Sequence, residues 1–78
     1  MARSLTLTRR TVPPDEERSY LADRTREAGR FAATGDHLWI FHSERQAGVY
    51  LEFRESGDAA RLTAVDPSAE LWTEVELA

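Results

Sequence analysis

The sequence predicts an α+β domain in which an antiparallel sheet of four strands carries one long amphipathic helix on one face. Three observations lead to this prediction. Leucine alternates with polar residues near the start of the chain, a segment of helical periodicity follows, and two alternating segments joined by a short polar loop come after it. The predicted order is strand, long helix, two strands, short helix and strand, and residues 1–78 form a single domain.

The first strand and the long helix have clear boundaries. Residues 5–10 alternate leucine with polar side chains, as a half-buried strand does. Residues 12–14, Val-Pro-Pro, end this strand because proline donates no hydrogen bond to a ladder. The acids at 15–17 then suit the positive end of a helix dipole, and Gly35 is the expected helix stop.

The periodicity of the helix assigns its two sides. The side predicted to face the sheet carries Tyr20, Leu21, Ala28, Phe31 and Ala32. The side predicted to face water carries Glu16, Arg18, Asp23, Arg26, Glu27 and Arg30. Gly29 lies near the apolar stripe and is predicted to allow a close approach of the sheet.

Residues 37–42 and 49–55 are predicted to form a hairpin whose polar loop ends at Gly48. A symmetric loop pairs His42 with Val49, Ile40 with Leu51 and Leu38 with Phe53, and it sets His37 opposite Arg54. This register places one face under the helix, namely Leu38, Ile40, Val49, Leu51 and Phe53. It gives the other face His37, Trp39, Phe41, Tyr50, Glu52 and Arg54.

The last third of the chain is predicted to hold a short helix and a final strand. A serine or aspartate in residues 56–58 caps a helical turn that includes Leu62. Residues 71–77 alternate as a strand does, whereas Asp66 followed by Pro67 is also a good helix start. We favour the strand because it gives the sheet a fourth member.

The composition excludes several kinds of chemistry. All ten basic residues are arginine, which excludes a side-chain Schiff base or a P-loop lysine, and the absence of cysteine excludes thiolate chemistry. The net charge of −4 argues against nucleic acid as a partner. No apolar run approaches the ~20 residues of a membrane span, so no membrane partner is expected. We therefore expect a soluble, cytoplasmic protein that uses no cofactor.

The second face of the predicted sheet is the candidate site. Aromatic walls with a few polar groups are typical of small-molecule pockets and also of dimer interfaces. The ligand-binding or interface residues predicted there are Trp39, Phe41, Tyr50, Arg54, Trp72 and Arg10, joined by Thr6 and Thr8. No catalytic residue is evident, and the weak candidates are His37 and Glu52. No metal is expected, because His37 and His42 point to opposite faces of one strand about 16 Å apart. A metal shared by His37 and Glu52 is the alternative, which the cation of Arg54 would discourage.

Three segments carry a resemblance to a known superfamily: residues 12–16 (Val-Pro-Pro-Asp-Glu) with the helix stop at Gly35, residues 38–42 (Leu-Trp-Ile-Phe-His) and residues 48–53 (Gly-Val-Tyr-Leu-Glu-Phe). Over about two-thirds of its length the chain resembles a ferredoxin-like half-barrel of the dimeric α/β-barrel superfamily, which includes the antibiotic biosynthesis monooxygenase-like domains. The resemblance implies that the helix-free sheet faces of two protomers pack together, with ligand cavities between helix and sheet or within the barrel. Residues 58–67 are shorter than the second helix of that pattern.

The sequence therefore predicts a small homodimer whose aromatic sheet face forms the subunit interface and also serves as a pocket for a small apolar or aromatic molecule. The alternative is a cofactor-independent, monooxygenase-like enzyme acting on an aromatic or polyketide-like small molecule. In that enzyme His37, Glu52 or Arg54 would transfer a proton or orient the substrate. A third reading, an interaction module for a charged partner, rests only on the uneven distribution of charge along the chain.

Overall fold

The structure is a computed structural model that describes residues 2–77. One antiparallel sheet has the order β2-β3-β1-β4 and contains β1 (Ser4–Thr11), β2 (His37–His42), β3 (Val49–Ser56) and β4 (Leu71–Thr73). The α-helices are α1 (Glu17–Ala33) and α2 (Ala59–Val65), and a 3-10 turn, Pro14–Glu16, leads into α1. The predicted α+β class, with a four-stranded antiparallel sheet and one long helix, is confirmed, and the 3-10 turn is an addition to the predicted order.

The end of β1 is joined to the hairpin loop. The backbone N–H of Val12 donates to the carbonyl of Gly48 at 2.7 Å. Gly48 has a φ of +79°, and a Cβ built there would lie 2.6 Å from the Val12 carbonyl oxygen. Both the left-handed backbone and the close approach require glycine at this position. The loop that precedes β3 is therefore held at one place on β1.

Helix α1 turns a more polar side to the sheet than its periodicity predicts. Tyr20 is buried there as predicted, but Glu27 is buried beside it, whereas Leu21 is 39% exposed. The prediction for Glu27 is wrong because a buried carboxylate needs a partner, and the sheet supplies one in Arg54. A Cβ on Gly29 would meet no atom within 4 Å, so the predicted close approach there is also wrong.

The hairpin is confirmed, with β3 one residue longer than predicted, but its predicted register is wrong. His42 pairs with Tyr50, and the predicted pairing with Val49 is wrong by one residue. The same shift pairs Ile40 with Glu52 and Leu38 with Arg54, and it sets His37 opposite Glu55, not Arg54. Because side chains alternate along a strand, the shift exchanges the two faces of β3 relative to β2. Tyr50, Glu52 and Arg54 now lie under the helices, and Val49, Leu51 and Phe53 lie on the opposite face.

The short helix α2 is anchored by polar contacts and one leucine. The Asp58 carboxylate caps it by accepting from the Ala60 N–H at 3.0 Å, as predicted from the sequence. Leu62 is 1% exposed, the deepest apolar side chain of the described residues. The Arg61 guanidinium donates to both carboxylate oxygens of Asp36, at 2.8 and 2.9 Å, which ties α2 to the start of β2.

The final segment forms a strand, as favoured, and not the alternative helix. β4 lies antiparallel to β1, with Leu5 opposite Trp72, and it is only three residues long, so the prediction of a strand is wrong for residues 74–77. Asp66 begins a turn, because its side chain accepts from the N–H and the hydroxyl of Ser68. Residues 1 and 78, the two ends of the predicted 1–78 domain, lie outside the described residues.

Candidate functional site

Both helices cover one face of the sheet, here called the helix face, and leave the other, the open face, bare. The open face carries Leu5, Leu7, Arg9, Trp39, Phe41, Leu51, Phe53 and Trp72. Its middle row runs across three strands from Trp39 through Phe53 to Leu7 without a polar side chain. Trp39, Phe41 and Trp72 are 44%, 56% and 50% exposed. The open face is therefore a continuous apolar surface in contact with water.

The rings of the open face pack against one another. Phe41 meets Phe53 edge to face, with centroids 5.3 Å apart and an interplanar angle of 87°. His37 stacks on Trp39 with centroids 5.1 Å apart and planes 3° from parallel. Aromatic pairs of this kind contribute about 0.5–1.5 kcal/mol beyond the area that they bury.

Polar groups lie at one end of the open face, where β2 begins and β3 ends. His37 Nδ1 lies 2.9 Å from Glu55 Oε1, and Arg3 Nε donates to the same oxygen at 2.8 Å. Burial raises the pKa of Glu55, but the hydrogen bonds from His37 and Arg3 outweigh it and lower that pKa below its ordinary value. Beside this pair, a groove of about 250 Å³ has Trp72 and Leu5 in its wall.

The helix face has a charged interior centred on Glu52, which is 0% exposed. The Tyr20 hydroxyl donates to Glu52 Oε2 at 2.5 Å, Arg54 donates to Oε1 at 2.8 Å, and Arg10 Nε lies 2.9 Å from Oε2. Burial raises the pKa of Glu52, but hydrogen bonds from Tyr20, Arg54 and Arg10 outweigh it, so the pKa lies below its ordinary value. Burial, together with the bond to this carboxylate, raises the pKa of Tyr20.

Arg54 joins Glu52 to helix α1. Its guanidinium donates to both oxygens of Glu27, at 2.6 and 2.9 Å, in the fork geometry that makes arginine pairs strong. Arg24 donates to Glu27 Oε1 at 2.8 Å. Burial lowers the pKa of Arg54, but the two carboxylates outweigh it and raise the pKa. The pKa shifts keep Glu27, Glu52 and Arg54 charged at neutral pH, so these groups fix the helix on the sheet and are not poised for proton transfer.

The structure divides the predicted site between the two faces. Trp39, Phe41 and Trp72 lie on the open face as predicted. The residues found on the helix face are Tyr50, Arg54, Arg10, Thr6 and Thr8. The catalytic candidates His37 and Glu52 are not brought together, because His37 lies on the open face and Glu52 on the helix face.

Sequence reasoning missed the contribution of α1 to the charged interior. Tyr20, Arg24 and Glu27 follow one another at intervals of four and three, so they share a helix side. The sequence signal that could have identified them is charge complementarity between two segments. This side of α1 carries a carboxylate and a cation, and one face of β3 carries a carboxylate and a cation as well, Glu52 and Arg54.

Comparisons with known proteins give no functional assignment. No protein-family model, no curated protein and no solved structure matches this chain.

Within residues 2–77, no cluster of three or more His, Asp or Glu side chains has an arrangement that could hold a metal ion. None of the helices in that part of the chain has the length and apolar character needed to cross a bilayer. The functional argument therefore rests on the two faces of the sheet.

Proposed function

We propose that the chain acts as a homodimer in which two copies pack through their open faces. The observation that carries this proposal is the inverted pattern of β3. Its polar residues Glu52, Arg54 and Ser56 lie under the helices, and its apolar residues Leu51 and Phe53 face away from them. A sheet covered by helices on one side ordinarily packs its apolar row against them. An apolar row on the bare side is stabilised when a second layer covers it, and in the proposed dimer the same face of another copy is that layer.

The exposed area of the open face is large enough for this role. Trp39, Phe41 and Trp72 alone leave roughly 300 Å² of apolar surface in water, taking about 200 Å² for a whole aromatic side chain. Burying that surface on both copies stabilises the dimer by about 15 kcal/mol at ~25 cal/mol per Å². This is comparable with the ~4–15 kcal/mol cost of association. Leu7, which is 44% exposed, and Phe53 extend the patch toward the ~800 Å² per partner of a standard interface.

The proposal includes the finer fold assignment, a ferredoxin-like half-barrel of the dimeric α/β-barrel superfamily. An antiparallel four-stranded sheet with helices on one face and an apolar surface on the other supports it in general terms. The 3-10 turn before α1 and the seven-residue length of α2 are departures from that pattern. A small apolar or aromatic molecule is the proposed second partner, and the groove beside Trp72 is where it would enter the interface.

Sedimentation equilibrium at micromolar concentration tests the dimer. The wild-type protein should sediment at twice the 8.9 kDa of one chain. Phe41→Glu should sediment as a folded monomer, because Phe41 is already 56% exposed and its ring contributes little to the fold of one copy. The matched control is Leu21→Glu, which introduces the same charge at an exposed position on α1. A wild-type monomer, or equal dissociation by the Leu21 variant, would refute the proposal.

One observation favours the alternative, a cofactor-independent, monooxygenase-like enzyme. His37 is exposed, its Nδ1 is paired with the Glu55 carboxylate, and its ring is stacked on Trp39, so a base held by a carboxylate lies beside an aromatic surface on which an aromatic substrate could stack. If an activity on an aromatic or polyketide-like molecule is found, His37→Ala should lower it by about 10²-fold or more. The second histidine provides the control, since His42→Ala alters a side chain at the far end of the same strand. Equal activity of the two variants would reject the assignment.

A further inference from the structure

A cleft opens on the helix face where α2 ends. Because α2 stops at Val65, the space beside α1 and above the second half of β1 stays uncovered. The cleft has a volume of about 320 Å³, near the lower end of small-molecule pockets. Its lining includes four arginines and two apolar side chains: Arg10, Arg24, Arg30, Arg54, Phe31 and Val65.

The charges of the cleft do not balance within the chain. Arg54, Arg24 and Arg10 share only two carboxylates, those of Glu27 and Glu52. Arg30 makes no ion pair with any residue in the described part of the chain, 2–77. The other acid of the lining, Asp66, accepts from Ser68 and adds a third negative charge, which interacts with that of Arg10. Four guanidinium groups thus meet three carboxylates, and one positive charge has no partner.

One buried donor of this cluster also lacks a partner. Arg24 Nε is buried and has no hydrogen-bond acceptor among residues 2–77. The Glu52 Oε2 atom lies 3.9 Å from it, beyond hydrogen-bond distance. Buried donors in folded proteins are nearly always satisfied, so this donor shows that the acceptors within residues 2–77 do not use the full hydrogen-bonding capacity of the Arg24 guanidinium, which lines the cleft.

We propose that the cleft binds a small organic anion whose carboxylate or phosphate group contacts Arg10, Arg24 and Arg30. The planar fork of arginine suits both kinds of oxyanion. Phe31 and Val65 line the same cleft and give the organic part of the ligand an apolar wall. The cleft is on the helix face, so this binding does not depend on the proposed dimer contact on the open face.

Calorimetric titration at constant ionic strength tests the proposal with three probes: inorganic phosphate, phenyl phosphate and benzoate. Phenyl phosphate should bind more tightly than inorganic phosphate, because its ring adds contact with Phe31 and Val65. The order of phenyl phosphate and benzoate identifies which oxyanion the arginines prefer. Arg30→Gln should raise the Kd of the tighter of these two by roughly tenfold, as expected for loss of a charge-assisted hydrogen bond.

The matched control is Arg18→Gln, which removes the same charge from an exposed position on α1 outside the cleft lining. It should leave the Kd within about twofold of the wild type, since distant surface charges are screened by salt. Both positions are exposed, so both variants should keep the fold, which circular dichroism checks. Absence of saturable binding by all three probes would overturn the proposal. An equal loss of affinity in the two variants would overturn it as well.

Discussion

Replacing Arg54 with methionine tests whether the charged interior holds the helix on the sheet. Arg54 bridges Glu27 on α1 and Glu52 on β3 through three hydrogen bonds of 2.6 to 2.9 Å. Its side chain is 4% exposed, and that of Glu52 is 0% exposed. Methionine fills similar space without a charge, so Arg54→Met leaves two carboxylates under the helix with fewer partners.

The expected cost follows from the burial of this pair. Removing one partner of a buried ion pair typically costs ~3–5 kcal/mol, because the other charge stays buried without compensation. Glu52 keeps Arg10 and Tyr20, and Glu27 keeps Arg24, so we expect the lower end, about 3 kcal/mol. A domain of this size has a free energy of unfolding of roughly 4–12 kcal/mol. The variant should therefore lose a large part of its stability.

The pH dependence of this loss distinguishes an electrostatic cause from a packing defect. In the wild type the pKa values of Glu27 and Glu52 lie below their ordinary value of 4.5, so their contribution is present above pH 4.5 and is lost as pH falls below it. In Arg54→Met burial is less opposed and both pKa values rise, so protonation in acid relieves the buried charge. The stability difference between the two proteins should narrow between pH 7 and pH 4.

Urea unfolding followed by tryptophan fluorescence at pH 7, 5 and 4, at one protein concentration, measures this difference. The control is Arg26→Met, which breaks the exposed ion pair with Asp23 and should cost less than ~1 kcal/mol at every pH. A loss below about 1 kcal/mol for Arg54→Met at pH 7 would contradict the electrostatic account. A loss that stays constant from pH 7 to pH 4 would point to packing alone.

Three further substitutions test the backbone and the caps, each by chemical unfolding. Gly48→Ala should destabilise the fold by roughly 1–3 kcal/mol, because φ is +79° and the new Cβ would clash with the Val12 carbonyl. Gly29→Ala should have the opposite sign and stabilise the protein by about 0.5–1 kcal/mol, since nothing lies near its Cβ in the helix interior. Asp58→Ala should cost about 1 kcal/mol through loss of the cap on the Ala60 N–H. If Gly48→Ala leaves the free energy of unfolding unchanged or raises it, the role given to the Gly48 backbone is wrong.

Local patterns were sufficient to predict the elements of the fold. The prolines after β1, the glycine after α1 and the aspartate before α2 each act through the backbone of their own segment. The alternation of residues 71–77 predicts a final strand for the same reason, because period two is a property of the strand itself, although only Leu71–Thr73 form β4. These signals need no knowledge of what the segment packs against.

The register of the hairpin could not be predicted this way. The symmetric loop assumed from the sequence pairs Val49 with His42. In the structure His42 pairs with Tyr50, and the carbonyl of Val49 accepts from the N–H of Ser43, one residue further along the chain. The symmetric register therefore differs from the observed one by one residue, and it puts Phe53 under the helix and Arg54 on the open face. Apolar alternation alone favours that choice, because it assumes that one chain supplies its own core. The correct choice needs the contact of Glu27 with Arg54, which is a property of two distant segments.

The two faces of the sheet follow from this one register. With the register shifted by one residue, Leu51 and Phe53 would pack under α1, the charges of Glu52 and Arg54 would reach water, and a single copy would bury its own apolar row. In the observed pairing this apolar row is not packed under α1, and several charges are buried instead. Buried ion pairs contribute little net stability, because desolvation of the charges opposes their attraction. The Val12 to Gly48 hydrogen bond and the Glu27 to Arg54 fork hold the observed register locally. Neither contact buries the apolar row, and in the dimer that we propose the same face of a second copy would cover Phe53 and its neighbours and supply that burial.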